Sequence, residues 1–357
     1  LVSDPVRPGL IDRVDAALAG YLAQRTSALA KVGPELEPVA EHAARFVLDG
    51  GKRLRPTFAY WGWRSFRDAE ADDTALVAAS ASLELLHACA LVHDDVMDAS
   101  DTRRGRPSTH ALFAQLHRDS GWTGDADAFG AAAAVLLGDL LLSWADAMFA
   151  AAPLPEPERE HTREVFETMR ELVMAGQYLD VMVQARGGFS ADDALRVAQF
   201  KTSKYTVEGP LHFGAAAAGA PRETFEALSA YGLPLGVAFQ LRDDVLGVFG
   251  DPELTGKPAG DDLREGKRTL LVALAMANAS PEQAERLRHG LGDRGIDAVE
   301  VTALREIIVS TGALDEVEKR IAAATETARA ALDTTAVAMP AREALDALAV
   351  AASNRHT

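Results

Sequence analysis

Apolar residues recur three and four positions apart along almost the whole chain, and strand-like alternation is nearly absent. The period predicts helices over roughly 9–31, 35–49, 53–67, 73–99, 128–151, 157–186, 191–208, 222–249, 268–278, 298–310 and 313–334, with a last one near 341–353. Ser190 followed by Asp192 and Asp193 reads as a helix start, and so does Pro281-Glu282. The β-branched run Ile307-Ile308-Val309 is short and lies in a helical context. Loops are expected at Gly50-Gly51, 100–110, 118–127, 152–157, 187–189 and 251–267. No low-complexity linker and no shift of composition divides the chain, so residues 1–357 read as one all-α domain.

Composition narrows the picture. The most apolar segment, Ala131–Ala152, contains Asp139 and Asp146, and two carboxylates argue against a membrane span. Residues 1–10 show no basic start followed by an apolar run, so no signal peptide is expected. A single cysteine, Cys89, leaves no intrachain disulfide framework and no Cys-based zinc site. A soluble, cytoplasmic protein is expected. Lys+Arg 36 against Asp+Glu 53 gives a net charge of -17, which argues against nucleic acid and anionic lipid as partners. Any anionic substrate would need basic residues gathered locally.

Asp94, Asp95 and Asp98 close an almost wholly apolar helical run, LELLHACALV. Residues four apart share a helix face, so Asp94 and Asp98 point the same way. Their mutual repulsion becomes favourable when a hard cation sits between them, and oxygen-only donors suit Mg²⁺. A bare DDxxD equally describes a solvated acidic helix end. A second pair, Asp243-Asp244, follows VAFQLR and echoes the first about half a chain later, as two facing helices would. Its fourth position is Gly247, so the partner carboxylate is missing there.

Cations frame both motifs: Lys52, Arg53 and Arg55 in GGKRLRP, Arg103, Arg104 and Arg106 after the first motif, Lys201 and Lys204 in FKTSKYT, and Lys257, Lys267 and Arg268 after the second. Any one cluster could be surface salt bridging. Together they suit a diphosphate bridged by Mg²⁺, since Arg forks grip phosphate and Lys acts as a point charge. Cys89, Trp61, Trp63 and Trp144 read as core, His93 as a packing or hydrogen-bonding residue, and His87 is ambiguous.

These motifs resemble the trans-isoprenyl diphosphate synthases, or polyprenyl synthetases, from GGKRLRP through HDDVMDASDTRRGRPSTH, GQYLD, FKTSKYT and FQLRDDVLGVFGD to GKPAGDDLREGKRT. The surrounding sequence is most similar to actinobacterial geranylgeranyl diphosphate synthases. The resemblance implies an all-α helical bundle around a deep central cavity, usually a homodimer, that condenses isopentenyl diphosphate with an allylic diphosphate using Mg²⁺. It implies that Asp94, Asp98 and Asp243 hold the metal. Arg103, Lys201, Lys257 and Lys267 would contact the allylic diphosphate, with Gln240 nearby, and Thr202 and Tyr205 would lie close to the carbocation. Lys52, Arg55, His87 and Arg104 would bind isopentenyl diphosphate. The released diphosphate would take the proton, and the loop at 251–267 would serve as a lid that keeps water out.

The resemblance also supplies a length ruler. On the helix of Asp94, residues four and five upstream lie roughly 6–7.5 Å deeper. They are Ala90 and Cys89, both small, where the family places aromatic residues to stop at C15. A C20 product is expected, with C15 or C25 and longer as alternatives, and the floor assigned to Leu86, Trp144 or Met148. A terpene cyclase would not need GGKRLRP or Arg104, and a non-catalytic subunit would be expected to lack an acidic motif, whereas both pairs are present.

Overall fold

The computed structural model describes residues 9–68, 70–251, 260–334 and 337–353. Helices dominate: α1 (Leu10–Ala30), α2 (Glu37–Leu48), α3 (Leu54–Arg64), α4 (Thr74–Met97), α5 (Thr109–Asp119), α6 (Ala126–Ala151), α7 (Glu156–Ala185), α8 (Ala191–Val197), α9 (Gly209–Ala217) and α10 (Thr224–Phe249). Then follow α11 (Asp261–Glu265), α12 (Leu270–Asn278), α13 (Pro281–Gly290), α14 (Ala298–Ser310), α15 (Ala313–Thr334) and α16 (Met339–Ser353). Two-residue strands β1 (Thr102–Arg103) and β2 (Arg106–Pro107) pair antiparallel between α4 and α5.

Two apolar cores hold these elements. The larger gathers α1, α3, α4, α6, α7, α9 and the first half of α10; the smaller gathers the second half of α10 with α12 to α15. α10 therefore spans both, and the second acidic motif lies where the smaller core begins. The capping signals hold: Ser190 and Ser280 each form a capping box, with Asp193 and Gln283. Between the loops expected at 100–110 and 118–127, where no helix is predicted, the chain forms α5. α5 is short and buries only Phe113, Ala114, His117 and Thr109, too brief a period to stand out in sequence.

α4 and α6 are both long and apolar enough to cross a membrane by length and composition. They pack against each other, and α4 lies mostly inside the larger core. Asp139 and Asp146 on α6 point outward.

The helix predicted over 191–208 changes pitch. Ala198–Glu208 is wound in π turns before the chain resumes as α9. Pro210, near the start of α9, has no N–H, so it gives the carbonyl of Thr206 four residues back no α-type hydrogen bond. α9 crosses α3 at backbone contact: a Cβ on Gly214 would lie 1.8 Å from the Ala59 carbonyl oxygen, and one on Gly62 would lie 2.2 Å from that of Leu211.

At the edge of the bundle, buried His42 joins α2 to α5. Arg45 donates to Nδ1 at 3.3 Å, so Nε2 carries the proton and donates to Thr109 Oγ1 at 2.9 Å. Burial, and then Arg45, push its pKa down from 6.5 to about 4. Because the folded value is the lower one, the unfolded chain takes the proton first as pH falls. Stability complete above pH 6.5 is therefore lost down to pH 4, by about 3 kcal/mol. His42→Gln is expected to lose less of its thermal midpoint over this window than the wild type; equal losses would show that the imidazole is not held neutral.

Candidate active site

The first acidic motif ends α4. The Asp98 N–H bonds the Asp94 carbonyl at 2.8 Å, and Ala99 then turns left-handed with φ 50. From the loop after α13, Arg294 donates to the carbonyls of Asp98 and Ala99 at 2.8 and 2.5 Å and fixes this end. Asp95 is fully buried and accepts Nε of Arg103 at 2.9 Å, so it serves as the anchor for that arginine. The same guanidinium lies 3.6 Å from Asp94.

Lys201, in the π segment, reaches across to Asp94 at 2.8 Å and to Asp180 on α7 at 2.7 Å. The close approach depends on Gly176, where a Cβ would lie 2.4 Å from the Lys201 nitrogen. Burial works to raise the Asp94 pKa, but Lys201, Lys267 and Arg103 outweigh it and hold it at about 2. For Lys201, burial favours the neutral amine, yet Asp94, Asp180 and Asp98 raise its pKa and keep it cationic. Asp98 is raised to about 6 by burial and by Asp94, and its Oδ1 is buried without a hydrogen-bond partner.

On the other side, Asp243 and Asp244 lie near the end of α10. Thr202 Oγ1 donates to Gln240 Oε1, and Gln240 donates to Asp244 Oδ1 at 2.7 Å, so a polar chain links the π segment to the second motif. Burial raises Asp244 to about 8; Gln240 opposes this, and Asp262 and Asp243 add to it. Lys267 pairs with Asp262 at 3.1 Å and Glu265 at 2.9 Å. Glu265 also accepts the hydroxyl of Ser100, just beyond α4. These contacts draw α11 onto the end of the first motif.

A basic corner completes the site. Gly50 and Gly51 take φ of 89° and 107°, followed by Arg53 at 49°. Arg53 is buried and donates to Asp15 at 2.7 Å, Glu84 at 3.0 Å and the Val47 carbonyl at 2.9 Å. It therefore holds the loop, while Lys52 beside it is exposed. Arg55 lies 4.3 Å from the Tyr205 ring centre and donates to Thr206 at 2.8 Å. Arg104 approaches from the hairpin and donates to the Asp49 carbonyl at 3.0 Å. Burial, then Arg55, Arg104, Arg103 and Arg53, push His87 well below its ordinary value. Arg55 Nε, His87 Nδ1 and Tyr205 Oη are all buried without hydrogen-bond partners. Burial raises the Tyr205 pKa, so its hydroxyl stays protonated.

The fold thus brings Asp94, Asp98, Arg103, Lys201, Thr202 and Gln240 into one network, and Arg55, His87, Arg104 and Tyr205 into another. Lys257 and most of the expected lid lie outside the described residues. Cys89 and Ala90 differ. Ala90 shares the face of Asp94 and Asp98, whereas Cys89 is buried with its Sγ 3.8 Å from His93, which bonds the Val135 carbonyl of α6. Trp144 is buried in the larger core, and its carbonyl accepts the Tyr21 hydroxyl at 3.0 Å. A groove of about 760 Å³ between α2, the hairpin and α5 contains none of the predicted site residues.

The polyprenyl synthetase family profile matches residues 37–308. The chain belongs to the polyprenyl synthetase family. The synthetase is 35% identical over 283 residues to a geranylfarnesyl diphosphate synthase of Aeropyrum pernix, covering 78% of this chain and 82% of the relative. It is 36% identical over 265 residues to a (2E,6E)-farnesyl diphosphate synthase of Mycobacterium tuberculosis, covering 73% and 68%. A solved geranylgeranyl pyrophosphate synthase from Corynebacterium glutamicum, complexed with isoprenyl diphosphate and magnesium, superposes with a TM-score of 0.93 at 40% identity, covering 97% and 99%. The enzyme is a trans-prenyl diphosphate synthase with the helical-bundle fold of those relatives.

Sequence reasoning gave no role to three charged groups of this synthetase: Asp180, Asp262 and Glu265. Asp180 stands in the recognised GQYLD, but only the fold shows that it shares Lys201 with Asp94. Lys201→Met should raise the Asp94 carboxyl above the ordinary aspartate value of about 4, because burial then acts with less opposition. Carboxyl NMR titration reads this directly, and an Asp94 resonance still titrating near its original value would show that Lys201 does not hold it.

Proposed function

We propose that this prenyl diphosphate synthase condenses isopentenyl diphosphate with allylic diphosphates and releases geranylgeranyl diphosphate, C20. The observation that carries the two-substrate reading is the pair of polar corners joined by the π segment. One holds the unpartnered oxygen of Asp98 beside Lys201; the other holds the unpartnered atoms of Arg55, His87 and Tyr205.

Asp94, Asp98 and Asp243 would hold Mg²⁺. Their hard oxygen donors suit the ion, and the buried oxygen of Asp98 lacks a partner. Among the described residues no three Asp, Glu, His or Cys groups form a cage, which fits an ion held by few carboxylates together with substrate phosphate. When bound, Mg²⁺ supplies positive charge that neutralises a departing diphosphate.

The protein's own groups do the rest. Lys201, Arg103 and Lys267, already cationic, face the position where negative charge grows as the allylic C1–O bond breaks and its electron pair leaves with the diphosphate. Arg55, Arg104, His87 and Lys52 orient isopentenyl diphosphate so that its double bond attacks C1. The C2 proton then passes to the released diphosphate. The Thr202 hydroxyl and the Tyr205 ring border the cation; the Thr202 proton is directed to Gln240 and the Tyr205 phenol stays protonated.

Three features support C20. Ala90 puts only a small side chain on the face of Asp94 and Asp98, the chain is 40% identical to a geranylgeranyl pyrophosphate synthase, and the named relatives make products on both sides of that length. A cytosolic homodimer is part of the same proposal. Val135 and Leu136 on α6, with Met174, Tyr178 and Val181 on α7, leave large apolar side chains exposed for a second copy to cover.

Purified protein incubated with isopentenyl diphosphate, each allylic primer and Mg²⁺ should accumulate the C20 diphosphate, and chelation should abolish turnover. No elongation with any primer would overturn the reading. Ala90→Phe should stay active and shorten the product towards C15. Cys89→Phe should instead lower stability by about 1–3 kcal/mol, since it overpacks the contact with α6. Chromatographic sizing and thermal melts separate the two; a wild-type product length from active Ala90→Phe would move the tail elsewhere.

A further inference from the structure

Each acidic motif lies at the C-terminal end of a long helix, where the last carbonyls have no partners within the helix and carry partial negative charge. α4, with the first motif, belongs to the larger core, and the second half of α10 belongs to the smaller one. The spacing of the two motifs therefore depends on what joins these two helix ends.

One segment reaches both. Arg294, in the loop between α13 and α14, donates to the carbonyls of Asp98 and Ala99 at 2.8 and 2.5 Å. Arg305, eleven positions on in α14, donates from Nε to the Val248 carbonyl of α10 at 2.6 Å, with its guanidinium 5.8 Å from the Phe249 ring centre. The carrier between them is stiff. Val301, Leu304, Ile307 and Ile308 seat α14 in the smaller core. The loop before it is bound to α11: the Gly292 N–H donates to the Leu263 carbonyl at 2.8 Å and Arg264 donates to the Ile296 carbonyl at 3.3 Å. Backbone meets backbone there as well, since a Cβ on Gly266 would lie 2.9 Å from the Gly292 Cα.

We infer that Arg294 and Arg305 are positioning residues, the two ends of one strut that sets the separation of the acidic motifs. The strut holds backbone carbonyls, so its hold takes no oxygen from the motif carboxylates. Spacing matters because an ion with near-ideal octahedral demands tolerates little change between carboxylates drawn from two helices. The anchoring stands on the geometry alone; its consequence for turnover rests on the function proposed above.

Hydrogen exchange without substrate and steady-state kinetics test it. Arg294 is half-exposed, so Arg294→Met should keep the thermal midpoint while the Asp98 and Ser100 amides, bonded to the carbonyls of Asp94 and Asp95, exchange at least ~5-fold faster. In Arg305→Met the same is expected of the Gly250 amide, bonded to the Leu246 carbonyl. Each variant should raise the Mg²⁺ concentration for half-maximal rate and the allylic KM at least ~5-fold, with the isopentenyl KM within ~2-fold of wild type. A strut freed at either end no longer sets a spacing, so the double variant should lose little beyond the worse single one, whereas independent sites would multiply. Glu300→Gln breaks the Arg286 pair on the outer face of α14 and should leave all of these readouts within ~2-fold. Wild-type exchange at Asp98 and Ser100 in Arg294→Met, losses that multiply in the double variant, or an isopentenyl KM that rises with the allylic one would overturn the inference. If the wild-type protein elongates nothing, the proposed function fails, and the exchange rates still decide the anchoring.

Discussion

The carboxylates of Asp94 and Asp180 come from different helices and would repel one another where little water screens them. The ammonium of Lys201, within 2.8 Å of one and 2.7 Å of the other, makes their approach possible. Much of the centre follows from this contact. Lys201 lies within the π turns, and Gly176 lets its backbone rest on α7. With Lys201 in place, Asp94 stays ionised while Asp98, four residues on, sits close to its point of protonation. Two neighbouring carboxylates thereby titrate in different ranges for reasons of position alone.

The second side repeats the arrangement with different parts. Lys267 is to Asp262 and Glu265 what Lys201 is to Asp94 and Asp180. Each lysine is held cationic against burial by acids that would themselves be costly to bury alone. Such pairs contribute little to stability compared with an apolar core. Their value here is that strong charges are kept in place before an anionic substrate arrives, so less reorganisation is needed when it ionises.

Much of this was legible in the sequence, for identifiable reasons. Helical period located most of the long helices because each buries one clear face. The motifs at 50–56, 94–104, 201–205 and 240–251 named most of the charged groups because their chemistry needs those residue types. The pitch change at 198–208 was not legible, since 11 residues are too few for the longer π repeat to stand out from the α period. Nor was the difference between Cys89 and Ala90: adjacent residues on a helix point about 100° apart, and only the position of α6 decides which one meets a neighbour. Asp262 was visible as an acid in a loop, but its pairing with Lys267 exists only in three dimensions.

The crossing of α3 and α9 has a consequence for how accurately the basic corner is built. α3 carries Arg55, and α9 continues the segment that carries Tyr205 and Thr206. Where Gly62 and Gly214 meet the opposite chain, the spacing is set by backbone against backbone, with no rotamer between them to take up slack. The guanidinium is therefore aimed at the tyrosine ring by two rigid surfaces in contact, much as a bearing is located by its seat. Sequence drift in the surrounding core can change how firmly the helices are pressed together while leaving the distance between these two groups unchanged.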